Sequence, residues 1–306
     1  MRQYIIRRLL QVLPIVFLVA TVVFFLFQVI PGDPAVVFAG EQASPETIAK
    51  VREALGLDQP VHVQYWRYLQ RLVKFDLGKS YISGMLVKQE IKVRFPNTIK
   101  LAFLATLVSS ILGVTMGVLS ALKREGVVDY SFTVLALLGI SIPIFWLGLI
   151  LIFIFSVQLK ILPIGGNSTW QHYVMPVIVL ATYSTAAILR ITRSSILETM
   201  GEDFVRTARA KGAREYLVIM RHVLRNSLIP VVTVIGLQFG YMLGGSIITE
   251  TIFAWPGMGR LLVTAVNQRD VMVVQGCLIV FASCFVLVNL AVDVIYGIVD
   301  PRISYS

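Results

Sequence analysis

The feature that most restricts this chain is a succession of long apolar runs almost free of charge, beginning with Leu9–Ile30. A helix needs ~20 mostly apolar residues to cross a hydrocarbon core ~30 Å thick. Comparable runs centre on Leu101–Leu122, Phe132–Val157, Val174–Leu189, Leu228–Thr249 and Val271–Val299. The expectation is an all-α, polytopic membrane protein with six transmembrane helices. Composition agrees, because 57% of the 306 residues are hydrophobic and 14% charged, far from the mixture of a water-soluble domain.

The net charge of +10 could indicate nucleic acid, but the Lys and Arg residues fall between the apolar runs. There they read more simply as signals of membrane orientation. Six spans put both termini on one side. With the N-terminus inside, Arg2, Arg7, Arg8, Lys123, Arg124, Arg190, Arg193, Arg206, Arg209, Lys211, Arg214, Arg221, Arg225 and Arg302 are cytoplasmic, whereas Lys160, Arg260 and Arg269 occupy short outer loops. The first apolar run exceeds the length of a signal-peptide core and lacks a small-x-small cleavage site directly after it, so an uncleaved first span is expected. Cys277 and Cys284 are seven residues apart on one apolar run, about 10 Å along a helix, too far for a disulfide.

The segment 31–98 is the one stretch outside the spans large enough for a small domain. Ser44-Pro45-Glu46 combines an N-cap, a proline for the first helical position and an acid for the first turn, predicting a helix toward Ala54 that stops before Gly56. Asp58-Gln59-Pro60 opens a second helix, whose Tyr65, Trp66 and Tyr68 suit either lipid headgroups or packing on the spans. Gly113 and Gly117 form a G-x-x-x-G pair, and Gly236, Gly240 and Gly244 form two overlapping ones. Such faces admit another backbone closely; whether from this chain or a second subunit, spacing does not decide.

Signals of catalysis are sparse. Gly78-Lys79-Ser80 imitates the end of a phosphate-binding loop, yet Val73 occupies the position of its first glycine. His62, His172 and His222, read as loop residues, have no Cys or carboxylate partners at metal-ligand spacing, so no metal is expected. Asp293, one turn after Asn289, is the single strong acid in a span and is read as a structural or interfacial carboxylate rather than a proton relay.

The stretch from Glu202 to Tyr216 is more informative. Acids at its front and bases behind suit a helix dipole, and Gly212 suits a helix stop. Within it, Arg206-Thr207-Ala208-Arg209-Ala210-Lys211-Gly212 resembles the E-A-A-x-x-x-G coupling motif of importer permeases in the ABC transporter superfamily, in the form found in the dipeptide/oligopeptide/nickel permease family. Pro31-Gly32-Asp33-Pro34, Leu55-Gly56-Leu57-Asp58-Gln59-Pro60, Asp76-Leu77-Gly78-Lys79-Ser80, Glu250 through Gly259 and Asp300-Pro301-Arg302 extend the resemblance over nearly the whole chain. Departures are Arg206 where the general motif has Glu, His222-Val223-Leu224-Arg225 where it continues I-x-L-P, and Phe75 where a glycine is expected.

The resemblance implies a type I importer permease fold in the cytoplasmic membrane, with both termini cytoplasmic and no catalytic residue. Residues 1–30 would hold the N-terminus and first span, 31–98 an extracytoplasmic helical loop, and 99–306 the five-helix core with a cytoplasmic coupling loop at 191–227. It implies a second permease subunit, two cytoplasmic ATPases that bind ATP and magnesium, and an extracytoplasmic substrate-binding protein. The cargo would be di- or oligopeptides, glutathione, opines or nickel chelates. Residues 206–212 would couple to the ATPases, and Tyr183, Thr185, Gln238 and Tyr241 are polar groups suited to a translocation pathway. The rival readings are a stand-alone channel or proton-coupled transporter, and a membrane enzyme.

Overall fold

A computed structural model describes residues 2–29, 33–40 and 42–299. Pro31 and Gly32 of the first motif and the terminal Asp300-Pro301-Arg302 lie outside the described residues, as do the side chains of Arg2, Arg7 and Arg8. The described chain is helical, with one isolated antiparallel bridge between Lys79 and Leu86. Its long helices are α1 (Arg2–Val29), α5 (Val87–Leu122), α8 (Gln171–Met200), α11 (Leu224–Ile252) and α13 (Val271–Val299). The shorter ones are α2 (Pro34–Ala39), α3 (Pro45–Leu55), α4 (Val61–Val73), α6 (Val127–Ser141), α7 (Ile144–Leu151), α9 (Asp203–Ala210), α10 (Glu215–Leu217) and α12 (Met258–Asn267).

Five helical stretches are long and apolar enough to span a membrane, and the pair α6–α7 makes a sixth passage if counted as one. That pair covers the third span read over Phe132–Val157 and is bent, its axis turning by 99° between Ser141 and Ile144. Pro143 is the cause, since it lacks an amide hydrogen and disfavours helical geometry at Ile142, which is extended at ψ 121°. Beyond α7 the helix widens into a π-helix over Ile152–Gln158, and a second π-helix, Val218–Val223, joins α10 to α11.

Helix ends also outrun hydropathy. The 36 residues of α5 extend ~54 Å at 1.5 Å per residue, well past a ~30 Å core. Likewise α8 continues through Arg190 and Arg193 to Met200, so the start of the 191–227 segment is a continuation of the span helix.

Two compact units are distinguished, one comprising Met1–Arg8, Ile99–Trp255 and Leu287–Ser306, the other Leu9–Thr98 and Pro256–Val286. In the first, α5 lies directly on α8. A Cβ added to Gly113 would stand 2.7 Å from Ile188 Cβ, and one on Gly117 would stand 2.6 Å from Thr192 Cβ and 2.8 Å from the Leu189 carbonyl oxygen. The neighbour of this glycine pair is therefore the chain itself. Gly236 is filled similarly by Val292, whereas among the described residues nothing lies within 4 Å of a Cβ on Gly244 or Gly245. The Ser195 hydroxyl donates to the Ser227 carbonyl at 2.8 Å, tying α8 to α11. Asp129 at the start of α6 receives both Arg193 Nε and Nη2 at 2.7 Å, along with the Ser120 hydroxyl.

In the second unit, Phe24 of α1 meets Tyr65 and Tyr68 of α4 with ring centroids 5.2 and 5.4 Å apart. Tyr68 donates to the Ala20 carbonyl at 3.2 Å, so two of the three aromatics on α4 pack against a span while Trp66 stays exposed. Ser44 caps α3 through Thr47 N, Pro45 follows at the first helical position, and Gly56 ends the helix at φ 68°, as its sequence predicts. Asp33 caps α2 and also pairs with Arg52, which gives the Asp33-Pro34 motif a structural purpose. Ser80 donates to Asp270, so the phosphate-loop look-alike is committed to holding the start of α13.

Candidate functional site

The basic segment 202–216 forms a short helix with two different faces. Glu202 precedes α9 in extended conformation, Asp203 occupies the first turn, and Arg209 the last, all in the sense that a helix dipole favours. Gly212, at φ 74°, accepts the left-handed geometry that ends the helix. Val205 is fully buried in a cluster with Ala121, Ile196, Val218 and Val223, and Ala208 packs at its margin. The inner face of α9 is thus keyed to the ends of α5, α8 and the π-helix before α11.

Its outer face is solvent-exposed. Arg206 is 73% exposed and makes a long 3.5 Å contact with Asp203, while Thr207, Ala210 and Lys211 are also exposed. Arg209 is held by a bidentate pair to Glu215, at 2.7 and 3.1 Å, which raises the guanidinium pKa and braces the turn. Among the described residues nothing lies within 4 Å of a Cβ on Gly212. Around these cations Phe204, Tyr216, Leu217 and Met220 expose large apolar surface, a feature charge counting misses. Exposed aromatic and basic groups thus lie side by side on a helix whose other face is anchored.

A second candidate region lies between α8 and α11 in the same unit. A cavity of about 470 Å³ is lined by Tyr183, Ser184, Gln238, Tyr241, Leu180 and Met242, among others. Three of the four polar residues singled out in the sequence are brought together there. Thr185 does not line the cavity: its carbonyl lies against Gly113 and its hydroxyl is buried without a hydrogen-bond partner. Ser184, one step away, does, and its hydroxyl donates to Gln238 Oε1 at 3.0 Å. The lining offers neutral hydrogen-bonding groups and aromatic faces, a chemistry that binds amide-rich solutes without demanding one side chain.

The other polar candidates take structural positions. His62, His172 and His222 sit in helices rather than loops, and His172 Nδ1 accepts from the Thr169 amide at 3.2 Å at the start of α8. Among the described residues no group of three His, Cys, Asp or Glu could hold a metal ion. Asp293 is half-buried and partnered within the fold. In the Glu250–Gly259 motif, Glu250 and Trp255 are completely buried, and Trp255 meets Tyr173 edge to face with centroids 4.6 Å apart. Gly165, which the sequence did not flag, leaves no room for a Cβ, which would fall 2.3 Å from the Phe253 carbonyl oxygen.

Comparison with known proteins gives a consistent result. Residues 113–305 match the family model described as binding-protein-dependent transport system inner membrane component, and residues 1–102 match the model of its N-terminal part. The chain is 45% identical over 306 residues, the whole of both chains, to the glutathione transport system permease protein GsiC of Salmonella paratyphi A. It is 44% identical, again end to end, to the protein of that name from Escherichia coli strain K12. Among solved structures, a chain of the MetNI methionine ABC transporter in an inward-facing conformation superposes with TM-score 0.59, covering 70% of this chain and 97% of that one at 18% identity. A chain of an amino acid ABC transporter solved with histidines gives 0.52, covering 71% and 95% at 19% identity.

Proposed function

Because this chain belongs to the family of binding-protein-dependent transport system inner membrane components, we propose that it works as one permease subunit of an ATP-driven importer of di- or oligopeptides, glutathione included. The observation that carries this reading is α9: a basic, partly apolar surface whose opposite face is locked by Val205 onto the ends of α5 and α8 and the π-helix that leads into α11. Two cytoplasmic ATPases would seat α9 in a groove. Closure of the ATPase dimer on ATP and magnesium then displaces α9, and the Val205 cluster passes that displacement to α5, α8 and α11. The spans switch between inward- and outward-facing states, and hydrolysis resets them.

The chain itself contributes binding and motion, not bond-breaking. Solute need only differ in affinity between the two states for the cycle to have direction. Tyr183, Gln238 and Tyr241, with Ser184, face the solute, and their neutral hydrogen bonding suits peptide amides common to every cargo. Selection among cargoes then falls mainly to an extracytoplasmic binding protein. A second permease subunit would complete the pathway, and the open faces at Gly244 and Gly245 on α11 are suited to meet it.

The distribution of Lys and Arg orients the chain with both termini and α9 in the cytoplasm and the 31–98 segment outside, in the cytoplasmic membrane. The remainder, 99–306, carries the core. The test is purification of tagged chain in mild detergent from its native host, followed by reconstitution. Recovery with a second permease and one or two ATPases, and ATP-dependent uptake of labelled glutathione or dipeptide given a binding protein, supports the reading. A chain that transports alone, without ATP, overturns it.

A further inference from the structure

Within the second unit a cavity of about 510 Å³ opens between the end of α1, the helices α3 and α4, and the start of α13. Its charged lining comprises one carboxylate, Asp33, against three guanidiniums, Arg52, Arg67 and Arg71. Asp33 is already taken by Arg52 and by the amide of Ala35. Arg67 and Arg71 have no carboxylate within ion-pair distance among the described residues. Nearby acids are engaged elsewhere, Asp270 by Ser80 and Asp76 by the Gly78 amide.

The two arginines are four residues apart on α4, so they share one helix face, an arrangement in which like charges destabilise the helix. An anion between them removes that penalty, and guanidinium forks match phosphate oxygens well. The cavity's depth identifies the kind of anion. Phe24, Phe27 and Gln28 lie where the apolar run of α1 ends, and Val271, Met272 and Gln275 lie where that of α13 begins. The cavity thus joins apolar residues from the ends of two spans to a cationic set from α3 and α4, a combination suited to the boundary between lipid tails and headgroups. Burial pushes the Tyr81 phenol on this lining up to about 12, so at neutral pH it remains a hydrogen-bond donor.

We propose that this cavity is a binding site for an anionic phospholipid, with the headgroup phosphate held by Arg67 and Arg71 and the acyl chains leaving along α1 and α13. The site is independent of the transport cycle and of which way the chain faces. Lipid bound there would bridge α4 to two spans at the membrane surface.

The experiment is native mass spectrometry of the full-length chain with its co-purifying subunits, comparing retained phosphatidylglycerol before and after detergent washing. Wild type should keep one lipid per chain, and the Arg67→Gln/Arg71→Gln variant should lose about tenfold in retention, two contacts of roughly this kind amounting to at least that factor. Arg67→Lys/Arg71→Lys should fall between them, since charge persists and the bidentate fork does not. Equal retention in wild type and the glutamine variant overturns the proposal. So does displacement of the lipid by inorganic phosphate at comparable concentration, which would make this a free-anion site. Should the glutamine variant fail to assemble, wild type in nanodiscs decides: preference for phosphatidylglycerol over phosphatidylethanolamine supports the site, and equal binding overturns it.

Discussion

Arg193, on α8, grips Asp129, at the start of α6, with Nε and Nη2 each 2.7 Å from a separate carboxylate oxygen, and the carboxylate is also reached by the Ser120 hydroxyl and the Glu125 amide. Three helices, α5, α6 and α8, thus converge on a carboxylate whose side chain is only 4% exposed. Breaking such a pair from one side leaves a poorly solvated charge behind. Asp129→Ala should lower stability by about 3 kcal/mol, read as a fall in melting temperature of the detergent-purified chain. The double variant Asp129→Ala/Arg193→Met should be less damaged than the sum of its singles, and strict additivity would mean that the pair contributes nothing as a pair.

Glycines on two faces should respond oppositely. Gly117→Val should prevent accumulation of folded protein, because even the first added carbon meets Thr192 and the Leu189 carbonyl. Gly244→Ala should leave the isolated chain's stability within about 0.5 kcal/mol of wild type, since no described residue occupies that space. If that alanine nevertheless reduces recovery of a second permease subunit, the open face of α11 is a subunit interface.

At α9, Arg209→Glu removes a solvent-exposed ion pair whose members are 37% and 54% exposed, so its effect on stability should be small. Transport should fall at least tenfold while the chain still inserts. Gly212→Leu should behave the same way, because the substitution clashes with nothing inside the chain apart from the strain of its positive φ. Normal uptake in both variants would remove α9 from the coupling role.

In the α8–α11 cavity, Gln238→Leu strips the Ser184 hydroxyl of its acceptor and replaces an amide with hydrocarbon. A solute-facing Gln238 predicts a several-fold rise in the solute concentration for half-maximal uptake, with little change in ATP turnover without solute. Thr185→Val, outside the cavity, should leave uptake unaltered and can stabilise, because the Thr185 hydroxyl is buried without a partner. Identical uptake defects in the two variants would argue against a cavity-specific role.

How much of this was legible beforehand depends on the kind of signal. Caps are local, so the Ser44 start, the Gly56 stop and the extent of α9 follow from a few neighbouring residues. The existence of the spans follows from hydropathy, but their ends do not, because a helix such as α8 keeps its hydrogen bonds after leaving hydrocarbon. The bend at Pro143 was hidden inside one continuous apolar run. Thr185 and Ser184 illustrate a further gap: adjacent residues differ by about 100° around a helix, and a span that is apolar on most sides carries too little contrast to reveal which one faces a cavity. Val205 and Gly165 acquire their meaning only through distant residues, the ends of three helices and the Phe253 carbonyl respectively.

The two π-helices carry a consequence for the chain's evolutionary arithmetic. A π-bulge houses one residue more than the α-helical turn it replaces, so its simplest origin is a single-residue insertion absorbed without breaking the helix. Among the described residues, Val218–Val223 is therefore a place where relatives could differ in length by one residue while α11 stays in register, and at Ile152–Gln158, which ends its helix, the same change shifts only the start of the following loop. A one-residue deletion elsewhere in a span turns the remainder of that helix by about 100° and disrupts its packing. Within these two segments, the same deletion would only tighten the coil.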